Sequence, residues 1–321
     1  MKSTFTFYSL SVLLCFSFFG YSQKTKTITL ADPTIFLNDG TYYLYGTGAP
    51  NGFRAYTSQD LEHWQKLENA SGLALQKGDA YGDKGFWAPQ IFEYNGKFYM
   101  AYTANEQIAI ASSDSPAGPF TQKNKIAIPS EERMIDPFVY FAEDGKIYLY
   151  HVRVANGGNR IFVAELNDDL SEIKDETLTQ CIEATDKWEN TENSGWTVTE
   201  GPTIVKRNGL YYMLYSANDF RNKDYAVGYA TSKSLTGPWE KVAFNPVLVR
   251  DMLGEDGTGH GDLFTGEDGQ LYYVLHTHNS SEKVSPRKTA LIKVHFETQK
   301  NNSPDKLVFE MDSFRFLTVE E

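Results

Sequence analysis

Cysteine is nearly absent from this sequence. Of 321 residues only Cys15 and Cys181 are cysteines. Cys15 lies in a segment expected to be removed, so the fold cannot rest on a disulfide, and Cys181 reads as a packing thiol rather than a nucleophile. Basic runs are missing too. The formal net charge is −12, or −13 without Lys2 (29 basic against 42 acidic residues), a balance that repels phosphate backbones and argues against a nucleic-acid partner. Beyond Gln23 no apolar stretch is long enough to span a bilayer, so no membrane-spanning helix is expected. Helical periodicity is lacking as well. Aromatic residues, at 14% of the chain, are plentiful; they suit β-sheet packing and sugar stacking equally.

The first residues read as a secretory leader. Met1-Lys2 precedes an apolar run from Leu10 to Phe19, and the small residues Gly20 and Ser22 stand just before Gln23. This pattern predicts a signal peptide over residues 1–22, cleaved after Ser22. A lipoprotein signal would need small residues ahead of Cys15, where Leu13 and Leu14 stand. The expectation is an exported protein, periplasmic, extracellular or at a cell surface, with residues 23–321 forming one domain. No feature of the sequence fixes an oligomeric state.

Internal repetition dominates the rest. Leu30 to Thr47 contains an Asp-Pro, a short apolar strand, an Asp39-Gly40 turn and an aromatic strand; Asp-Gly or Asn-Gly between apolar runs is a strong hairpin signal. The phrase recurs from Ala88-Pro89, Asp136-Pro137, Glu200-Gly201-Pro202 and His260-Gly261, with turns at Asn95-Gly96, Asp144-Gly145, Asn208-Gly209 and Asp268-Gly269. A third strand is predicted after each hairpin (53–57, 108–112, 161–165, 225–231, 290–295). A fourth is often announced by a signature such as His63-Trp64, Gly118-Pro119-Phe120 or Gly237-Pro238-Trp239. Five four-stranded antiparallel units spaced 48 to 65 residues apart predict an all-β, five-bladed β-propeller around a central cavity. Long loops at 68–84, 181–196 and 250–259 are where specificity would be built.

In such a ring, equivalent positions face one axis. The residues opening the inner strands read Asp32, Ala88 (after Trp87), Asp136, Glu200 and His260. Asp before Pro also serves as a simple strand-entry turn, but three acids in one register would crowd a cavity at a cost in desolvation and repulsion that favours a chemical use. Without serine or thiolate machinery, the chemistry that fits is glycosidic hydrolysis by two carboxyl groups. Asp32 and Glu200, on blades that are not neighbours, should face each other at the wider separation of roughly 6.5 to 9.5 Å that admits a water and gives inversion. Asp136 is placed to raise the pKa of Glu200 and hold its orientation.

The motifs Ala-Asp-Pro at 31–33, Phe-Trp-Ala-Pro at 86–89, Ile-Asp-Pro at 135–137, Thr-Glu-Gly-Pro at 199–202 and Gly-His-Gly at 259–261 resemble glycoside hydrolase family 43 across the mature chain. The resemblance implies an inverting glycosidase with Asp32 as general base, Glu200 as general acid and Asp136 as pKa modulator. It also implies that Trp87 borders the sugar subsite, that Arg287 contacts sugar hydroxyls and that His260 lies near a calcium ion or a water cluster; the chemistry itself requires no cofactor. Blade packing for Trp87 and a solvated loop cation for Arg287 are the plainer alternatives. His276 and His278 alternate on a strand and are read as strand packing, since no third zinc ligand is evident; His63, His151 and His295 receive no role.

The expected activity is exo-acting, an α-L-arabinofuranosidase or β-xylosidase on oligosaccharides or on side chains of plant-type or algal polysaccharides. Leu30-Ala31-Asp32-Pro33 lacks the opening motif of sucrose-cleaving propellers, and no appended β-sandwich follows, which tilts the expectation toward arabinofuranosidase. Endo-arabinanase or galactan-directed activity of the same family is an alternative. A catalytically silent glycan-binding propeller is the alternative of another class; retention of all three acids speaks against it.

Overall fold

The computed structural model describes residues 1, 25–69, 71–300 and 303–320. The leader expected over residues 1–22 therefore lies outside the described residues, Met1 apart. Among the described residues no helix is long and apolar enough to cross a membrane.

The chain folds as a five-bladed β-propeller. Blade 1 runs outward through Ala31–Asn38, Thr41–Thr47, Ala55–Ser58 and Gln65–Lys66. Blade 2 comprises Trp87–Tyr94, Lys97–Ala104 and Gln107–Ser113, and blade 3 comprises Met134–Phe141, Ile147–Ala155, Gly158–Leu166 and Thr179–Ile182. Blade 4 holds Thr197–Arg207, Leu210–Ala217, Ala226–Ser232 and Glu240–Lys241. Blade 5 holds Gly259–Thr265, Leu271–Thr277, Lys288–Glu297 and Lys306–Phe316. Each inner strand touches that of the next blade, and the fifth touches the first, so the ring is complete.

Two details differ from the sequence reading. In blade 1 the third strand starts at Ala55, because Gly52–Phe53 pairs with Leu75–Gln76 instead. In blade 2 the fourth strand shrinks to a single bridge between Ser112 and Thr121. Phe120 is fully buried and its N–H donates to the carbonyl of Ala74, which ties that segment to the loop of blade 1.

Five apolar clusters, one between each pair of neighbouring blades, form the core. Ile35 and Leu44 of blade 1 pack on Phe264, Val274 and Leu291 of blade 5, and the other four interfaces repeat the arrangement. Much of the aromatic content is used here. The fully buried Tyr102, Tyr150 and Tyr215 each send a hydroxyl to a loop: to the carbonyls of Tyr81 (2.8 Å) and Leu235 (2.5 Å) and to Glu189 Oε1 (2.7 Å).

The first and last described strands meet. Thr25–Thr27 pairs antiparallel with Thr318–Glu320, and Val319 bridges to Trp64 at the outer edge of blade 1. Thr289 of blade 5 clamps the incoming segment, its hydroxyl bonded to both N–H and carbonyl of Leu30 at 2.9 Å.

The 181–196 loop is anchored by one buried acid. Glu189, fully buried, accepts from the N–H groups of Thr185 and Asp186, from Tyr215 and, at 2.6 Å, from Lys241 Nζ. Glu189→Ala leaves the Tyr215 hydroxyl without its partner and the half-buried Lys241 ammonium without its counter-charge, with hydrogen bonds left to the Glu183 carbonyl and the Thr185 hydroxyl. The expected cost is about 3 kcal/mol in a denaturant titration; a change below about 0.5 kcal/mol would place the loop's anchorage elsewhere.

Candidate active site

Each inner strand enters through the same irregularity. Pairing with the second strand runs through Ala31, Trp87, Ile135, Glu200 and Gly259, skips, and resumes at Thr34, Gln90, Phe138, Thr203 and Asp262. Within each skip one residue adopts left-handed backbone: Asp32 (φ 49°), Ala88 (45°), Asp136 (55°), Gly201 (59°) and His260 (37°). Such bulges re-aim side chains next to active sites. This corrects the register assigned above: the counterpart of Asp32 in blade 4 is Gly201. Glu200 stands one step earlier, level with Trp87. Gly201 is required there, since a Cβ would fall 2.7 Å from the His260 ring at a positive φ.

The bulged residues also carry a ring of inter-blade hydrogen bonds. The N–H of Ala88 donates to Thr47 Oγ1 (3.0 Å), that of Asp136 to Thr103 Oγ1 (3.0 Å) and that of His260 to Ser216 Oγ (2.8 Å). The acceptor each time is the second-strand residue of the preceding blade paired with its pre-bulge position. In blade 3 that residue is Val152, which has no acceptor, and the N–H of Gly201 turns to Asp136 Oδ2 at 3.3 Å instead. In blade 5 it is His276, whose Nδ1 takes the Asp32 N–H at 3.1 Å. His276 is therefore part of the site, a correction to its reading as strand packing. Its Nε2 lies 3.0 Å from Arg287 Nη1, and burial, then the Arg287 cation, keep the ring neutral.

His278 ties down a neighbouring loop: its Nε2 bonds the carbonyl of Phe220 at 2.8 Å, and Phe220 lies against the Arg287 guanidinium at 4.7 Å.

All six predicted site residues, Asp32, Trp87, Asp136, Glu200, His260 and Arg287, line one cavity of about 350 Å³. It is joined at the rim by Asn159, Trp196 and Phe220. On the axis, Asp262 of blade 5 accepts from Thr34 of blade 1 and Thr203 of blade 4, both at 2.7 Å, and so laces three inner strands together.

The three acids sit in different electrostatic settings. Asp32 accepts from Thr47 Oγ1 at 2.6 Å and from Arg287 Nη1 at 3.0 Å. Burial alone would raise its carboxyl; Arg287 first, then His260, His276 and Thr47, together hold it well below the usual carboxylate range. Glu200 has no cation in contact. Burial pushes it up to about 7, against the opposing pull of Tyr225, whose hydroxyl donates to Oε1 at 2.8 Å, and of Asn159, whose amide donates to Oε2 at 3.3 Å. Asp136 is raised by burial, then by the charges of Glu200 and Asp32. His260 Nδ1 stands 3.4 Å from Asp32 Oδ1 and 3.8 Å from Asp136 Oδ2, and burial keeps it neutral.

Calcium binds through six to eight oxygen ligands. Beside His260 the carboxylates of Asp32 and Asp136 are already engaged, and among the described residues no three His, Cys, Asp or Glu side chains converge as a metal would need. No step below runs through a metal.

Tyr225, Asn159, Thr47 and Trp196 were not singled out from sequence. Only Trp196 carried a signal, at the end of a long loop flagged for specificity.

Known proteins match this chain over most of its described length. The family model "Glycosyl hydrolases family 43" matches residues 25–300. A xylosidase/arabinosidase of Butyrivibrio fibrisolvens is 31% identical over 76% of this chain, which spans 48% of that relative's length. An extracellular exo-α-(1→5)-L-arabinofuranosidase of Cellvibrio japonicus is 24% identical, covering 94% of this chain and 92% of the relative. The crystal structure of an endo-1,4-β-xylanase from Bacteroides thetaiotaomicron superposes with a TM-score of 0.85 at 40% identity, over 94% of this chain and all of that one. With the family model matched over residues 25–300, the chain belongs to glycoside hydrolase family 43.

Proposed function

We propose that this protein is an inverting glycosidase that removes pentose, α-L-arabinofuranose or β-D-xylose, from oligosaccharides or polysaccharide side chains, with Asp32 as base, Glu200 as acid and Asp136 as the residue that orients and tunes Glu200. One observation carries the assignment. A single cavity holds one carboxyl kept ionised by Arg287 and two, Glu200 and Asp136, raised by burial, and divergent pKa values in one site separate the base from the acid. Of the raised pair, Asp136 is the one bonded to the Gly201 N–H, which leaves Glu200 as the acid.

Asp32 and Glu200 stand on blades that are not neighbours, which leaves room for a water between base and sugar. Asp32 takes a proton from that water as it attacks the anomeric carbon; Glu200 gives its proton to the departing glycosidic oxygen. Asp136, bonded to the Gly201 N–H, fixes the backbone beside Glu200. Export through the predicted leader belongs to the proposal and is in keeping with the extracellular Cellvibrio relative.

The test is a panel of aryl and oligomeric arabinofuranosides, xylosides and hexosides, with the first-formed anomer followed by proton NMR. Turnover of a pentoside with inversion is expected. A retained anomer would overturn the mechanism, and no turnover of any glycoside would favour a glycan-binding propeller. The solved xylanase relative gives a second reading, endo cleavage, which mid-length products from xylan or arabinan would reveal.

A further inference from the structure

Trp196 is 41% exposed, an unusual position for a large apolar ring, yet its indole is fixed. Its Nε1–H donates to Asn159 Oδ1 at 3.0 Å, and the same amide donates through Nδ2 to Glu200 Oε2 at 3.3 Å. Asn159 is buried and comes from blade 3, while Trp196 and Glu200 flank the start of the inner strand of blade 4. The backbone leading into Trp196 is held. Trp196 N–H bonds Ser194 Oγ, and the loop behind is pinned through Glu189. The indole thus offers an open face to the cavity while its edge is tied to the carboxyl group that must meet the leaving oxygen.

We propose that Trp196 is the platform for the leaving-group sugar, and that Asn159 is a positioning residue that couples this platform to Glu200. The proposal rests on the glycosidase reading above. An acid that protonates the glycosidic oxygen lies on the leaving-group side of the bond. A side chain one hydrogen-bonded residue away from that acid, and on the same blade, lies on that side too. Arg287, His260 and His276 surround Asp32 instead, on the side of the attacking water. A sugar ring presents an apolar face that suits a flat indole, and a ring locked by its N–H orders little on binding. The chemical class of ligand is the aglycone saccharide of an oligomer, as opposed to the pentose being released.

The test compares two substrates of the same sugar: a disaccharide, and the methyl glycoside, which also needs protonation of its leaving group but has no second ring to stack. Trp196→Ala is expected to raise KM for the disaccharide about tenfold and to change KM for the methyl glycoside less than about threefold, while any fall in kcat that reaches Glu200 through Asn159 is shared by both. Trp196→Phe keeps the flat face and should recover most of the disaccharide's KM.

Asn159→Leu should lower turnover of both substrates. Because the amide hydrogen bond favours ionised Glu200, its loss should move the alkaline limb of the pH profile to higher pH, a shift that a merely structural role would not produce. Equal changes in KM for the two substrates in Trp196→Ala would overturn the platform, and an unmoved alkaline limb in Asn159→Leu would overturn the coupling. Wild-type turnover of the methyl glycoside keeps the hydrolase reading standing in either case; no turnover of either substrate brings that reading down and this proposal with it.

Discussion

Asp32→Asn is expected to lower kcat on a pentoside by about 10³-fold with little change in KM, since general-base assistance contributes roughly 10²–10⁴. Asparagine preserves size and tolerates the left-handed backbone at φ 49°, so the fold should survive, with the Arg287 guanidinium still facing an amide oxygen. A second replacement separates base loss from misfolding. Asp32→Gly suits the same φ without strain and opens space above the anomeric carbon. Azide, which needs no deprotonation, should then restore turnover and yield a glycosyl azide of inverted configuration. An Asp32→Asn enzyme as active as wild type would remove Asp32 from the chemistry. An azide product of retained configuration would contradict its position on the face opposite the leaving group.

How much of this site was legible beforehand depends on which strand a residue occupies. Asp32, Asp136 and His260 stand at the bulged entry of an inner strand, beside the Pro or Gly that marks each repeat, and repetition alone aligned them. Glu200 was aligned one residue out of register. Blade 4 uses glycine at the left-handed position, where a His260 ring 2.7 Å from any Cβ excludes larger residues, and a motif reading that follows the acids cannot detect that step.

His276, Thr47 and Tyr225 were invisible for a different reason. They sit on second strands or just before a third strand, where alternation describes only which face is buried. Their partners are remote in sequence: His276 meets Asp32 across 244 residues and Tyr225 meets Glu200 across 25. The His276 contact exists only because blade 5 closes on blade 1, which the Thr289–Leu30 bonds and the pairing of Thr25–Thr27 with Thr318–Glu320 hold in place. The Tyr225 contact forms inside blade 4, between its inner strand and the turn into its third. The hairpins, by contrast, needed only local chemistry. Asp39-Gly40, Asn95-Gly96 and Asn208-Gly209 each have both residues at positive φ, as two-residue turns demand.

Glu200→Gln is expected to separate leaving groups. A disaccharide leaves as an alkoxide unless it is protonated, so its kcat/KM should fall by about 10²–10⁴. A 2,4-dinitrophenyl pentoside departs without help and should lose less than about tenfold. Glutamine keeps the shape of the side chain, and its single carbonyl oxygen can still accept from Tyr225 in the place of Oε1 or from Asn159 in the place of Oε2, so the main change is loss of the proton.

The pH dependence follows from the same assignment. In the wild type the acid must be protonated, so disaccharide cleavage should fall as pH rises through about 7, the value to which burial lifts Glu200. On the acidic side Asp32 must be ionised, and because Arg287 and its neighbours hold it well below the usual range, the acidic limb should lie below pH 4 or so, near or beyond the ordinary Asp value. The Glu200→Gln enzyme acting on the dinitrophenyl pentoside should lose the alkaline limb altogether, because no proton is then needed from residue 200. Equal losses on both substrates, or an alkaline limb that persists in the variant, would mean that the proton comes from elsewhere, with Asp136, a second raised carboxyl lining the same cavity, as the candidate.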